Sequence, residues 1–212
     1  MNKTKETQVK TRTVGLLSIR GITAIAMLSA IAILLMLFEI PLWFAPSFYE
    51  IDLSEVPVLI GAFALGPIAG VVIEFVKILL NLLINGTITA FVGEFANFLI
   101  GCSLVVPAAI IYHRGKSKNT ALTGLIIGTI CMVAVGSLLN AYLLLPVYAK
   151  TFNMPMEALI GMGSAVNPSI NSLSTFILLA VAPFNLLKGV IVSIITMVLY
   201  KRVSRVIKEF HI

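Results

Sequence analysis

IDLSEVPVLIGAFALGPIAG, residues 51–70, opens on two charges that suit an aqueous side, Asp52 and Glu55. It runs through Pro57 into an apolar segment too short to cross a bilayer as a straight helix. Gly66-Pro67 then marks a stop and a restart, because proline lacks the N–H that a preceding turn needs yet suits a first helical position. The pattern predicts a short helical hairpin, descending over 55–66 and returning over 67–84. Broken helices at membrane depth are stable where protein buries them or where they line a cavity, so the hairpin points to a binding site.

On either side of it, apolar runs of the roughly 20 residues that cross a bilayer recur along the chain. Of the 212 residues 59% are hydrophobic and 11% charged. The expectation is an all-α, polytopic membrane protein in one domain, 1–212, with six helices: 19–41, the two arms of the hairpin, 89–112, 120–147 and 173–200. An aromatic cluster, Trp43, Phe44, Phe48 and Tyr49, ends the first span and starts a loop able to fold over the mouth of a cavity. A long connection over 148–172 carries Pro155, Pro168 and three asparagines, with a short interfacial helix at 156–162.

The net charge of +6 does not point to nucleic acid, because its placement follows topology. Twelve of the 15 basic residues fall before the first span, in the connector HRGKSKN at 113–119, or after the last span. The excess of Lys and Arg in cytoplasmic segments puts all three regions, and both termini, inside. Cys102 and Cys131 lie in apolar helices and read as small packing residues. The basic N-terminus followed by an apolar run reads as a retained first helix, since no small-residue cleavage site follows it. Gly115-Lys116-Ser117 resembles the end of a phosphate-binding loop, but Ile110 stands where the motif requires glycine. With only His113 and His211, at helix ends, no zinc site or histidine triad is expected in the bundle.

A charged side chain at the centre of a span costs about 2.5–3.5 kcal/mol, so each one needs a reason. Asn185 and Lys188 share a helix face after Pro183, and together present donors and an acceptor to the edge of a flat heterocycle. Alternatively Lys188 pairs with an acid such as Glu94. Glu94 and Asn97 lie three apart near the open end of the hairpin, placed to accept from ligand hydroxyls. Asn140 sits in the outer third of its span, and Thr87 and Thr89 stand at the mouth of the fourth helix. Glu74 and Lys77 can pair with each other, while Glu39 is placed to snorkel to the interface. Small residues four apart, Gly124/Gly128 and Gly93/Asn97/Gly101, read as helix packing. In the first helix, GITAIAMLSAIA, the stripe through Ala26 and Ala30 offers a flat face to another protein.

These segments, with TITAFVGEFANFLIG and APFNLLKG, resemble the riboflavin-specific substrate-binding subunit, or S component, of energy-coupling factor vitamin transporters. The resemblance runs from the first helix to the last. It implies a six-helix S component that is not an enzyme and has no cofactor or metal, with riboflavin as its transported ligand near the outer face, partly capped by the loop after the first helix. It also implies a transmembrane coupling protein, met by Ala26 and Ala30, and two cytoplasmic ATPases. By motif it implies Asn185, Lys188 and Asn140 as polar contacts to the isoalloxazine ring; the candidate substrate-binding set adds Glu94, Asn97 and Thr89, with Phe48 and Asp52 from the capping loop. Where the family often has lysine two positions before the aspartate of its D-L-S motif, this chain has Glu50. A negative charge there favours the uncharged vitamin over its phosphate. Alternatives are an S component for another flat vitamin and a purely structural membrane subunit.

Overall fold

The computed structural model describes residues 18–209 apart from 44, 47, 48, 88 and 90, and only the backbone of 201–209. Helix α1, Ile19–Met36, starts where the Ser18 hydroxyl accepts from the Gly21 N–H. After it come two short strands, β1 (Ile40–Pro41) and β2 (Glu50–Ile51), paired antiparallel with Ile40 opposite Ile51 and Pro41 opposite Glu50. The otherwise all-helical chain thus ties the ends of its capping loop with a two-residue ladder, too short to leave an alternating pattern in the sequence.

The hairpin follows as α2 (Glu55–Leu65) and α3 (Pro67–Asn85). Between them Gly66 has φ +107°, a conformation that costs a residue with a Cβ dearly, and Pro67 takes the first turn of α3. At 1.5 Å per residue α2 is about 16 Å long, roughly half the hydrocarbon thickness. Helices α4 (Val92–Gly115) and α5 (Lys118–Leu139) make the closest pair. A Cβ on Gly124 would lie 2.5 Å from the Ala108 carbonyl oxygen, and one on Gly128 would collide with that of Leu104. Here the small-residue spacing does serve helix packing. Ser117 and Thr120 form a reciprocal cap at the start of α5.

Past Leu139 the helix widens into a π-helical turn, Asn140–Leu144, and continues as α6, Leu145–Thr151. The connection to the last span holds α7, Met156–Val166, longer than the expected 156–162. A short α8 (Leu173–Phe176) passes through a second π-helical turn, Ile177–Val181, into α9, Ala182–Glu209. Among the described residues five helical stretches are long and apolar enough to cross a membrane, 19–36, 67–85, 92–115, 118–151 and 173–200; the shorter α2 completes the expected six. Large apolar side chains such as Ile22, Phe75, Ile130 and Val198 stay exposed on their outer faces, as lipid-facing residues do.

Two buried clusters bracket the molecule. One joins α2, α4, α5 and α9 around Leu59, Phe63, Leu104, Leu125 and Tyr112, with Phe63 stacked on Tyr112 at 4.5 Å. The other gathers Tyr49 and Ile51 with Leu145, Leu159, Phe176 and Phe184. Cys102 and Cys131 are free thiols, half-buried in their helices.

Candidate functional site

A cavity of about 300 Å³ lies beside the second cluster, under the β1–β2 loop. Its position follows from the two π-helical turns. Each widens its helix by one residue and re-aims a polar side chain, the use such turns are often put to at functional sites. Asn140 begins the first turn and Asn185 follows the second. Each amide donates to the carbonyl four residues back, Asn140 to Gly136 at 2.8 Å and Asn185 to Val181 at 2.9 Å. Both are buried.

Asn140 is held further by the Tyr49 hydroxyl, which donates to its Oδ1 at 2.6 Å and so ties the loop to α5. Tyr49 packs on Phe184 (ring centroids 5.1 Å apart) and Phe176 (6.3 Å), and burial pushes its phenol pKa up. Among the described residues nothing donates to Asn185 Oδ1, which leaves an amide oxygen and one N–H for the cavity. Asn185 fits because the facing residue is Gly136, where a Cβ would lie 2.8 Å from its Nδ2.

Lys188, one turn after Asn185, donates to Asp52 Oδ2 at 2.8 Å, and the Ser54 N–H donates to Asp52 Oδ1, also at 2.8 Å. Burial alone would raise the Asp52 pKa, but the adjoining ammonium groups of Lys188 and then Lys77 outweigh it and hold the carboxyl well below the usual range. Two expectations are corrected here. Asp52 and Glu55 do not face water: they are 5% and 1% exposed, because each meets a lysine inside the protein. Nor is Glu94 the counter-ion of Lys188, since it accepts instead from the Thr89 hydroxyl at 3.1 Å.

Seven of the eight substrate-binding candidates, Asn140, Asn185, Lys188, Glu94, Asn97, Thr89 and Asp52, line this one cavity; Phe48 lies outside the described residues. Thr89 is already engaged, its hydroxyl accepting from the Gly93 N–H at 3.0 Å and so capping α4. Glu74 pairs with Lys77 as expected, but Lys77 also binds Glu55, an acid on the other arm of the hairpin. Gly101 serves the close approach of α4 to the hairpin, as expected, and there it makes room for the ion cluster, since a Cβ on it would overlap Glu74.

Residues that sequence reasoning left out also line the cavity. Asn81, in the C-terminal half of α3, is a polar side chain in an apolar run, so the cost argument that singled out Asn140 applied equally to it. Glu39 lies just past the end of α1 and is exposed. It meets Glu50 at the cavity mouth, and partial desolvation together with that neighbouring carboxyl pushes its pKa up to about 7. Among the described residues no cluster of His, Cys, Asp and Glu is arranged to hold a metal ion.

Residues 20–200 match the family model described as ECF transporter, substrate-specific component. The riboflavin transporter RibU of Staphylococcus aureus (strain TCH60) is 38% identical over 190 residues, 90% of this chain and 93% of that protein. The riboflavin transporter FmnP of Bacillus subtilis (strain 168) is 29% identical over 194 residues, covering 91% and 96% of the two chains. Among solved structures, the S component of a bacterial ECF transporter superposes with a TM-score of 0.68 at 37% identity, over 88% of this chain and 96% of that one. With its broken hairpin, its polar cavity beside the β1–β2 loop and a family match over most of its length, the chain belongs to the substrate-specific components of ECF transporters.

Proposed function

We propose that this chain is the riboflavin-binding subunit of an ECF-type vitamin transporter, which takes up the vitamin at the outer face and works by binding and reorientation rather than covalent chemistry. The observation that carries the proposal is the convergence of Asn140, Asn185 and the Lys188–Asp52 pair on one cavity under the β1–β2 loop. The free amide oxygen and N–H of Asn185, beside the Lys188 ammonium, match the alternating carbonyls and ring nitrogens along the polar edge of an isoalloxazine. Glu94, Asn97 and Thr89, which line the same cavity, serve the ribityl hydroxyls in this proposal, and Phe48 and Asp52 contribute from the loop. The names of the relatives from Staphylococcus aureus and Bacillus subtilis support riboflavin as the ligand.

In the same proposal both termini are cytoplasmic, and the chain lies in the cell membrane with a transmembrane coupling protein and two cytoplasmic ATPases. Ala26 and Ala30 are exposed on the outer face of α1, which supports their use as the coupling surface. The paired carboxylates of Glu39 and Glu50 at the mouth favour the uncharged vitamin over its phosphate. The experiment is a titration of riboflavin by fluorescence quenching with the detergent-purified protein, with other flat vitamins as competitors. Saturable quenching at one site per chain, not displaced by those competitors, is expected. No quenching, or displacement by another vitamin at lower concentration, overturns the assignment.

A further inference from the structure

Next to the cavity, but not lining it, lies a second polar cluster. Lys77 Nζ sits 2.8 Å from Glu55 Oε1, 2.7 Å from Glu74 Oε1 and 3.2 Å from the Ser54 hydroxyl. Lys77 and Glu74 are fully buried and Glu55 is 1% exposed. The titratable groups facing it are Glu55 from α2, Lys77 and Glu74 from α3, Cys102 from α4, Asp52 from the end of the loop and, behind Asp52, Lys188 from α9. Asp52 is already neutralised by Lys188. That leaves one ammonium between two carboxylates, and among the described residues no other cation pairs with either. Glu55 Oε2 and Glu74 Oε2 have no hydrogen-bond partner although both are sealed from solvent.

An uncompensated charge buried this deeply is costly, and an unpaired buried oxygen adds to that cost. One proton removes both penalties, because it cancels the excess charge and turns one orphan oxygen into a donor for the other carboxylate. Gly101 gives the space: a Cβ there would overlap Glu74 Oε1 and come within 3.2 Å of Glu55 Oε1. We propose that the Glu55–Lys77–Glu74 cluster is a proton-binding site, in which the two carboxylates share one proton that keeps the hairpin core neutral. Ser54 links the site to the cavity, since its hydroxyl accepts from Lys77 and its N–H holds Asp52.

The test is infrared spectroscopy of the purified, ligand-free protein, so it stands apart from any result with riboflavin. A Glu39→Gln background removes the other carboxyl that takes up a proton near neutral pH. The expected result is a carboxylic-acid carbonyl band at neutral pH that shifts in heavy water and is lost on adding Glu74→Gln. Should that variant not fold, Gly101→Ala, which crowds both carboxylates, is expected to shift the band. No such band in the Glu39→Gln protein, or a band unmoved by every change at the cluster, overturns the proposal. So does a thermal midpoint that rises in sodium or potassium relative to choline, because a monovalent cation would then fill the place of the proton.

Discussion

Lys188 cannot be removed alone without stranding Asp52, and that makes the pair separable from the ligand by experiment. Losing one partner of a buried ion pair costs about 3–5 kcal/mol, whereas replacing both by neutral groups is often tolerated. Lys188→Met is therefore expected to lower the thermal midpoint sharply, and Lys188→Met with Asp52→Asn to recover most of it. Riboflavin binding should stay weakened in both, by roughly one to two orders of magnitude for a lost charge-assisted hydrogen bond. Quenching titrations beside thermal melts read the two effects apart; full affinity in the double variant would take Lys188 out of the binding set. Gly136→Ala tests Asn185 without touching it. The new methyl displaces the amide by contact, and the loss of about one neutral hydrogen bond, 0.5–1.5 kcal/mol, weakens binding by about two- to tenfold. Unchanged affinity would show that the position of Asn185 is not critical.

Among the elements, the β1–β2 loop carries the clearest kinetic consequence. It is fastened by Tyr49 to Asn140 and by Asp52 to Lys188, so deleting residues 46–48 is expected to speed riboflavin release more than it slows entry, as most affinity changes within one site do. Stopped-flow release measures this, and an unaltered rate would make the loop a fixed connector. The loop should also respond to pH. The Glu39 carboxyl holds its proton up to about 7, above the ordinary value for a glutamate. Its contribution to closure is therefore full in acid and is lost as pH rises through about 7, where two like charges come to face each other at the mouth. Release should quicken on the alkaline side, and Glu39→Gln should flatten that profile. The hairpin was legible in the sequence almost to the residue, because Gly66-Pro67 is a local signal. The protection of Asp52 and Glu55 was not, because their lysines lie 136 and 22 positions away and nothing local registers such a contact. The second π-helical turn is hidden for a related reason: Pro183 announces an irregularity but not which way the helix will widen.

At the scale of the whole molecule, the exposed stripe of Ala26 and Ala30 lies on α1, away from the cavity walls of α4, α5 and α9. Ala26→Trp with Ala30→Trp is expected to leave riboflavin binding in detergent intact while uptake by cells carrying the complete transporter falls; lost binding would place the stripe against the core of the protein. The distance along the chain between Asp52 and Lys188 has a further consequence, for biosynthesis. A chain enters the membrane N-terminus first, and its early segments settle before later ones exist. The Lys77 cluster is complete once α3 has been made, but the loop's two fasteners come 91 and 136 residues after the residues they hold. A nascent chain arrested before Asn140 should therefore carry an intact hairpin and a loop open to protease, and one arrested before α9 a loop held by Tyr49 alone. The compartment for the ligand is closed only once α9 has been made, so a chain that stops short of it lacks the Asn185 and Lys188 wall that would hold the vitamin.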